Sequence, residues 1–257
     1  MNLLNLTYYR VDLVRHLRDL GNTFFIIGLP VLMYLVVGST FASGDEPVRA
    51  GNMQFYAMTS MAMYGAATAT TAIAGMAALE RIQGWGRQLG LTPMRPAVYV
   101  VTKVFVALTV AAAAVVAVFV AGLLTGARAE SVGVWLGSAV LAWLGSALFA
   151  VFGLAVAQLF KSEGAVSVAS GALVLLAFLG NLFIPLSGTL LQIARFTPMY
   201  GYAGLVRWPQ LQGLIIENNA PALSSDPLWV LVLNYVLWAL VFATLAIWAV
   251  RRGRRRQ

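Results

Sequence analysis

Hydrophobic positions in this chain run in long unbroken blocks instead of alternating with polar ones. Six stretches are apolar enough, and at about 20 residues or more long enough, to cross a bilayer as helices; they cover roughly 22–41, 53–79, 97–125, 132–160, 164–186 and 227–250. The segment before the first block differs. Leu3, Leu6, Tyr9, Leu13, Leu17 and Leu20 recur every three or four residues, while Arg10, Asp12, Arg15, Arg18 and Asp19 fall mostly elsewhere on the helical wheel. Residues 1–21 therefore read as an amphipathic helix on the inner membrane surface, apolar side down. An anchor with no further role accounts for the same pattern. Asp12 with His16, and Arg15 with Asp19, stand four apart and are expected to support each other along this helix. A cleaved leader is not expected, because the apolar run has the length of a full span and Gly38 to Gly44 hold no A-x-A site.

Residues 186–226 are apolar in content but are broken up by Pro185, Pro198, Pro209 and Pro221. Irregular backbone at membrane depth is tolerated only where protein or water shields it. One or two short re-entrant helices at the outer face are expected here, an exposed loop being the alternative. The fold class is thus an all-α polytopic membrane protein. It is one domain over 1–257, with six transmembrane helices, an amino-terminal amphipathic interfacial helix and re-entrant helices before the sixth span.

Composition removes the soluble alternatives. Charged residues make up 10% of the 257 and hydrophobic ones 60%, against about 25% charged in an ordinary soluble domain. The net charge of +8 is read through its placement. With both termini inside, thirteen of the seventeen Lys and Arg residues lie on the cytoplasmic side, leaving Arg49, Arg128, Arg195 and Arg207 outside. A multi-pass protein of the inner (plasma) membrane is expected, its basic tail 251–257 facing anionic lipid headgroups instead of nucleic acid. There is no cysteine and a single histidine, His16, so no metal site and no catalytic residue are expected. The span centres are almost free of charge, Lys103 being close enough to an inner end to snorkel out, so no ion-driven relay is evident. No G-x-x-x-x-G-K-[ST] phosphate loop occurs, which assigns any ATPase to a separate polypeptide.

Small residues every fourth position, in Gly133-x-x-x-Gly137 with Ser138, Ala142, Ser146 and Ala150, and in Ala113, Ala117 and Ala121, read as helix packing. Met58 and Met61, with Met53, Met63 and Met76, give the second block either a soft cargo-facing wall or plain core. Asn181 and Phe183, near the outer end of the fifth block, are further substrate-pathway candidates.

The inner loop 80–96 stands apart in composition, mixing Arg81 and Arg87 with glycines and Trp85 and closing on two prolines that stop any helix. A tryptophan beside arginines is a common anchor at protein interfaces, so this loop is the candidate docking site for an ATPase. Its run Leu79-Glu80-Arg81, Gly84, Leu89, Thr92-Pro93 and then Lys103 resembles the pattern after the second helix of ABC-type-2 permeases, the membrane subunits of type V ABC exporters. There an E-R-E-x-G-T-L-like stretch closed by T-P contributes to a coupling helix. Phe183-Ile-Pro185-Leu-Ser-Gly188, Phe196-Thr-Pro198 and Gly204-Leu-Val-Arg207 are likewise similar to that family's run into its sixth helix. Here Ile82 and Gln83 replace its acidic and polar pair, and Trp85 a small hydroxyl residue.

The resemblance implies an ATPase-coupling site made of Glu80, Arg81, Gly84, Trp85, Arg87, Leu89, Thr92 and Pro93. Glu80 would fix the loop by capping a helix or pairing with an arginine. Trp85, Arg87 and Leu89 would face the ATPase, and Thr92 and Pro93 would end the coupling helix. It implies a separate ATP-binding subunit that carries ATP and Mg, a second permease copy in a homodimer or heterodimer, and a surround of membrane lipids. No cofactor and no nucleic acid would bind this chain. The function implied is export of a hydrophobic or amphipathic drug, antibiotic, lipid or peptide. Two other classes stay open. One is a sensory or resistance subunit without net transport. The other is a membrane-embedded lipid enzyme, for which Glu80, Glu163 and Glu217 on separate loops are the available acids.

Overall fold

Side-chain caps set where several helices begin. Asn5 accepts from the Tyr8 N–H at 3.1 Å and opens α1 (Leu6–Arg18), while Asp19 ends α1 and accepts from the Asn22 N–H at 3.1 Å to open α2 (Leu20–Thr23). The computed structural model describes residues 5–40, 47–84, 96–160, 162, 164–217 and 224–254. Trp85, Arg87, Leu89, Thr92 and Pro93 of the expected coupling loop, Glu163, and the tail residues Arg255 and Arg256 lie outside the described residues.

From α2 the chain continues through a π-helical turn, Phe24–Gly28, into α3 (Leu29–Thr40), so that one apolar helix runs over Leu20–Gly38. A two-residue hairpin follows, β1 (Pro47–Val48) against β2 (Gly51–Asn52), antiparallel with Pro47 opposite Asn52. Next come α4 (Met53–Ile82), α5 (Pro96–Thr125), α6 (Val132–Gly145) and α7 (Ala147–Phe160). The chain ends with α8 (Gly164–Leu179), α9 (Gly188–Ala194), α10 (Pro198–Leu211) and α11 (Leu228–Arg254).

Five helical stretches among the described residues are long and apolar enough to cross a membrane: Leu20–Gly38, Met53–Glu80, Val98–Thr125, Val132–Phe160 and Leu228–Ala249. The fifth apolar block yields only the 16-residue α8. It stops short of the expected 186 because Asn181 turns left-handed at φ of +61° and the Leu182 N–H bonds back to the Ala177 carbonyl at 3.1 Å, closing the helix end.

α4 is the axis of the fold. It is buried almost all round, and α3, α5, α7 and α8 pack on it. A helix can be enclosed on every side only if its neighbours come close, and α4 is built of Ala, Gly, Ser, Thr and Met. Its hydroxyls are satisfied by carbonyls: Ser60 and Thr68 bond back one turn, at 2.8 Å each, while Thr70 crosses to the Ser146 carbonyl at 2.8 Å. At Gly153 of α7 a methyl group would sit 2.2 Å from the Thr71 carbonyl oxygen, so only glycine lets the two backbones meet there.

Most of the small-residue stripe of the fourth block packs: Ser138, Ala142 and Ser146 are fully buried, and Gly137 and Gly145 take Pro209 and Tyr202 of α10, while Gly133 is exposed. In the third block the expectation is corrected. Ala113 is exposed, and the buried stripe of α5 is Ala107, Ala111, Ala114 and Val118. Residues 111 and 113 differ by about 200° round a helix of 3.6 residues per turn, which puts them on opposite faces.

Candidate functional site

The charges that the apolar helices carry gather where α1 lies across the C-terminal end of α4 and the first turns of α5. Asp12 shares a face of α1 with Tyr9, Leu13 and His16, at spacings of three and four. Tyr9 Oη and Thr109 Oγ1 of α5 lie 2.8 Å apart and fix that face against α5. Lys103, two turns into α5, then stands between two carboxylates: its Nζ donates to Asp12 Oδ1 at 2.8 Å and lies 2.9 Å from Glu80 Oε2. Arg15 NH1 donates to the other Glu80 oxygen at 3.0 Å, and Tyr99 Oη donates to Glu80 Oε2 at 3.0 Å. The ammonium also lies 5.9 Å from the Tyr8 ring centre and 5.7 Å from that of Tyr99, within cation–π range.

Burial decides what this network is worth. Side-chain exposure is 5% for Lys103, 3% for Asp12 and 13% for Glu80, against 61% for Arg15. A desolvated charge is stable only while paired, and removing one partner of such a set costs about 3–5 kcal/mol. Two carboxylates face one ammonium and one guanidinium, so the set is neutral as it stands. His16, its Nε2 3.9 Å from Asp12 Oδ2, is held below its ordinary value of 6.5. Burial is the main cause; Asp12 opposes it, and Lys103 and Arg15 add to it. Burial likewise pushes the Tyr8 phenol up. At neutral pH both are uncharged.

These contacts differ from the pairs expected along α1. Lys103 does not snorkel out, because α1 covers it and supplies Asp12. Arg15 takes Glu80, 65 positions away, while Asp19 caps α2. Asp12 does keep His16 as a neighbour. Glu80 is thus paired with an arginine, one that comes from α1. The signal for this cluster was present: residues 9, 12, 13 and 16 form one face, and an aspartate within it needs a buried cation. Beside the cluster lies an open cavity of about 490 Å³, lined by Arg15, His16, Arg18, Asp19 and Asn22 and by Ala72, Met76 and Val166.

Of the other candidates, Arg81 belongs to α4 and Gly84 follows it in a turn at φ of +94°. Met58 and Met61 are fully buried in the main core. Asn181 shapes the end of α8: its Oδ1 accepts from the Leu186 N–H at 2.7 Å and its Nδ2 donates to the Ile216 carbonyl at 3.4 Å. Phe183 packs edge-on against Tyr64 and Phe178, with ring centres 5.2 and 4.9 Å away.

Several apolar spans around a buried axial helix, with ionised groups held where an amphipathic helix crosses one end, define a multi-pass membrane protein of the transporter type. The chain belongs to the ABC-2 type transporter family, whose model matches residues 6–211. That stretch runs from the first residue of α1 to the last of α10 and holds the whole charged cluster. Proteins of this family are membrane permease domains that work with a nucleotide-binding ATPase subunit. No curated protein and no solved structure matches the chain.

Replacing Lys103 with Met should lower stability by about 3–5 kcal/mol, since it strands Asp12 and leaves Glu80 with the exposed Arg15 as its counter-charge. Thermal unfolding in detergent should show much of this recovered in the triple variant Asp12→Asn, Glu80→Gln, Lys103→Met, which leaves no buried charge unpaired. A triple variant as weak as the single one would contradict the assignment. For His16 the sign follows from proton binding. Between its lowered folded value and 6.5 the unfolded chain holds more protons, so stability rises with pH there. The contribution is complete above 6.5 and is lost as the pH falls below it. Protection factors of α1 amides, taken relative to the intrinsic exchange rate at each pH, should fall on acidification from about pH 7.5 to 5.5, and His16→Gln should flatten that response.

Proposed function

We propose that this chain is the permease of an ATP-driven exporter that moves a hydrophobic or amphipathic compound across the plasma membrane. In this reading both termini are cytoplasmic, a second permease copy pairs with it, and a separate subunit binds ATP and Mg. α8 and the residues after it complete a sixth span, α1 lies in the inner membrane surface, and α9 and α10 re-enter from the outer one.

The observation that carries the proposal is the position of the charged cluster. Glu80 is at the end of α4 and Lys103 near the start of α5, so both flank the 83–96 connection on which an ATPase would press. Through Lys103 and Arg15 each of these helices is also tied to α1. A push on the connection cannot shift α4 or α5 alone without separating desolvated charges, so all three ends move together. Exposed Leu6, Val11 and Leu20 on α1 and after it give that movement a hold on the lipid surface. The cavity beside the cluster, lined by both basic and apolar side chains, suits entry of an amphipathic cargo from the inner leaflet. ATP and cargo drive a cycle only if they favour different states, and α1, α4 and α5 moving as one part would carry the change between those states.

Replacing Trp85 and Arg87 together with alanine in the reconstituted complex should cut ATP-dependent cargo movement at least about tenfold, a loss of about 1.4 kcal/mol of coupling. ATP hydrolysis should continue and the permease should stay folded. Vesicle transport measured beside phosphate release tests this. Unchanged transport would refute the coupling role, and hydrolysis without any cargo movement in the unaltered complex would point to a sensing subunit.

A further inference from the structure

Arg207 lies at the opposite end of the fold from the charged cluster, and it differs from every ion in that cluster: its partners are all neutral. It is buried, at 5% exposure, on α10. Its NH1 donates to the Asn181 carbonyl at 3.0 Å and its NH2 to Ser60 Oγ at 2.6 Å, and its guanidinium carbon lies 4.0 Å from the Tyr56 ring centre. Nε has no hydrogen-bond partner. Among the described residues no carboxylate forms an ion pair with it. The nearby Asp226 is engaged elsewhere, 3.2 Å from Arg195 and accepting from Tyr200 Oη at 2.6 Å. A buried cation without a counter-charge is costly, and the cost falls when an anion reaches it.

A cavity leads to that cation. It has about 40 Å³ of room for water-sized groups, above the ~10–15 Å³ that a single water needs. Arg207, Tyr56 and Asn181 line it together with apolar Leu214 and Leu231 and with Tyr200 and Asp226, whose carboxylate is held by Arg195. Its depth can be read along α4. The 28 residues of Met53–Glu80 span about 42 Å at 1.5 Å per residue, close to the 40–45 Å of a bilayer with its headgroups. Tyr56 lies about 5 Å in from the Met53 end, at headgroup depth, and Ser60 about 10 Å in, a few ångström below it.

We propose that this cavity is an anion subsite in which Arg207 receives the phosphate of an anionic amphiphile. Tyr56, Ser60 and Asn181 hold the guanidinium, leaving Nε–H and the remaining N–H groups for the phosphate oxygens. The apolar lining takes the part of the molecule next to the headgroup. A leaflet phospholipid and free phosphate share this chemistry. The inference needs only the membrane placement of α4, and it stands whether or not the chain exports cargo or couples to an ATPase.

The test is lipid binding to the full-length chain in detergent, followed by native mass spectrometry with phosphatidylglycerol, diacylglycerol and inorganic phosphate. Phosphatidylglycerol should bind at least about tenfold more tightly than diacylglycerol, as expected for charge-assisted hydrogen bonds. Arg207→Met should abolish that preference. Leu214→Trp, which fills the cavity from its rim and leaves the guanidinium contacts in place, should abolish it as well and serves where the arginine variant does not fold. Displacement of the lipid by millimolar phosphate assigns the subsite to the free anion, and failure of phosphate to displace it assigns the subsite to the lipid. An unaltered chain that binds the two lipids equally, or a preference that survives in both variants, would overturn the proposal.

Discussion

A single ammonium held between two carboxylates organises one end of this protein. Lys103 is enclosed by Asp12 from α1 and Glu80 from α4, at 2.8 and 2.9 Å, in surroundings where none of the three is stable alone. The interaction adds little net stability relative to an apolar core of the same volume. What it supplies is a fixed arrangement: three segments distant in sequence have one low-energy way to meet. Because two of them flank the proposed ATPase contact and the third is the proposed interfacial helix, the same constraint that places them would also make them move together.

The rest of the fold makes that end mechanically continuous with the other. α4 is 30 residues long and is gripped along its length by close backbone approaches such as Gly153 against Thr71. Its first turns meet Arg207 of α10, whose guanidinium ties Ser60 to the end of α8 through Asn181. The two ends treat charge differently. Near Glu80 every buried ion has a partner of opposite sign. Around Arg207 the partners are neutral, as suits a site that exchanges an anion with its surroundings.

How much of this was legible in the sequence depended on the range of the interaction involved. The long spans were readable because lipid imposes length and apolar content locally, residue by residue. α8 fell short of its apolar block because a turn at Gly180 and Asn181 ends it, and an apolar run gives no hint of such a turn. Most of the small-residue face of α6 was read correctly from its spacing. On α5 the row at the same spacing is not the buried one, Ala113 being exposed and Ala117 and Ala121 half-buried, since the row of Ala107, Ala111 and Ala114 is equally regular and only the neighbours decide. The cluster was hidden for a different reason. Asp12 and Lys103 are 91 positions apart, and each taken alone has an ordinary local explanation, a helix-surface pair and a snorkelling lysine. Arg207 was read as a topology marker because burial within α10 depends on packing against α6 and α11. Met58 and Met61 are soft side chains suited to a cavity wall or to a core, and in this conformation they are core.

The central claim, that buried charges join α1 to α4 and α5 as one moving part, is most directly tested by spin-label distances. The chain contains no cysteine, so labels at Val14→Cys on α1 and Val100→Cys on α5, both partly exposed positions, would be the sole attachment points on it. Double electron–electron resonance on the complex with its ATPase, with labelled chain diluted by unlabelled chain so that only pairs within one copy are read, should give one narrow distance, the same with and without ATP, that broadens when Lys103 is replaced by Met. A distance that changes with nucleotide while Lys103 is intact, or a distribution already broad in the unaltered chain, would contradict the account.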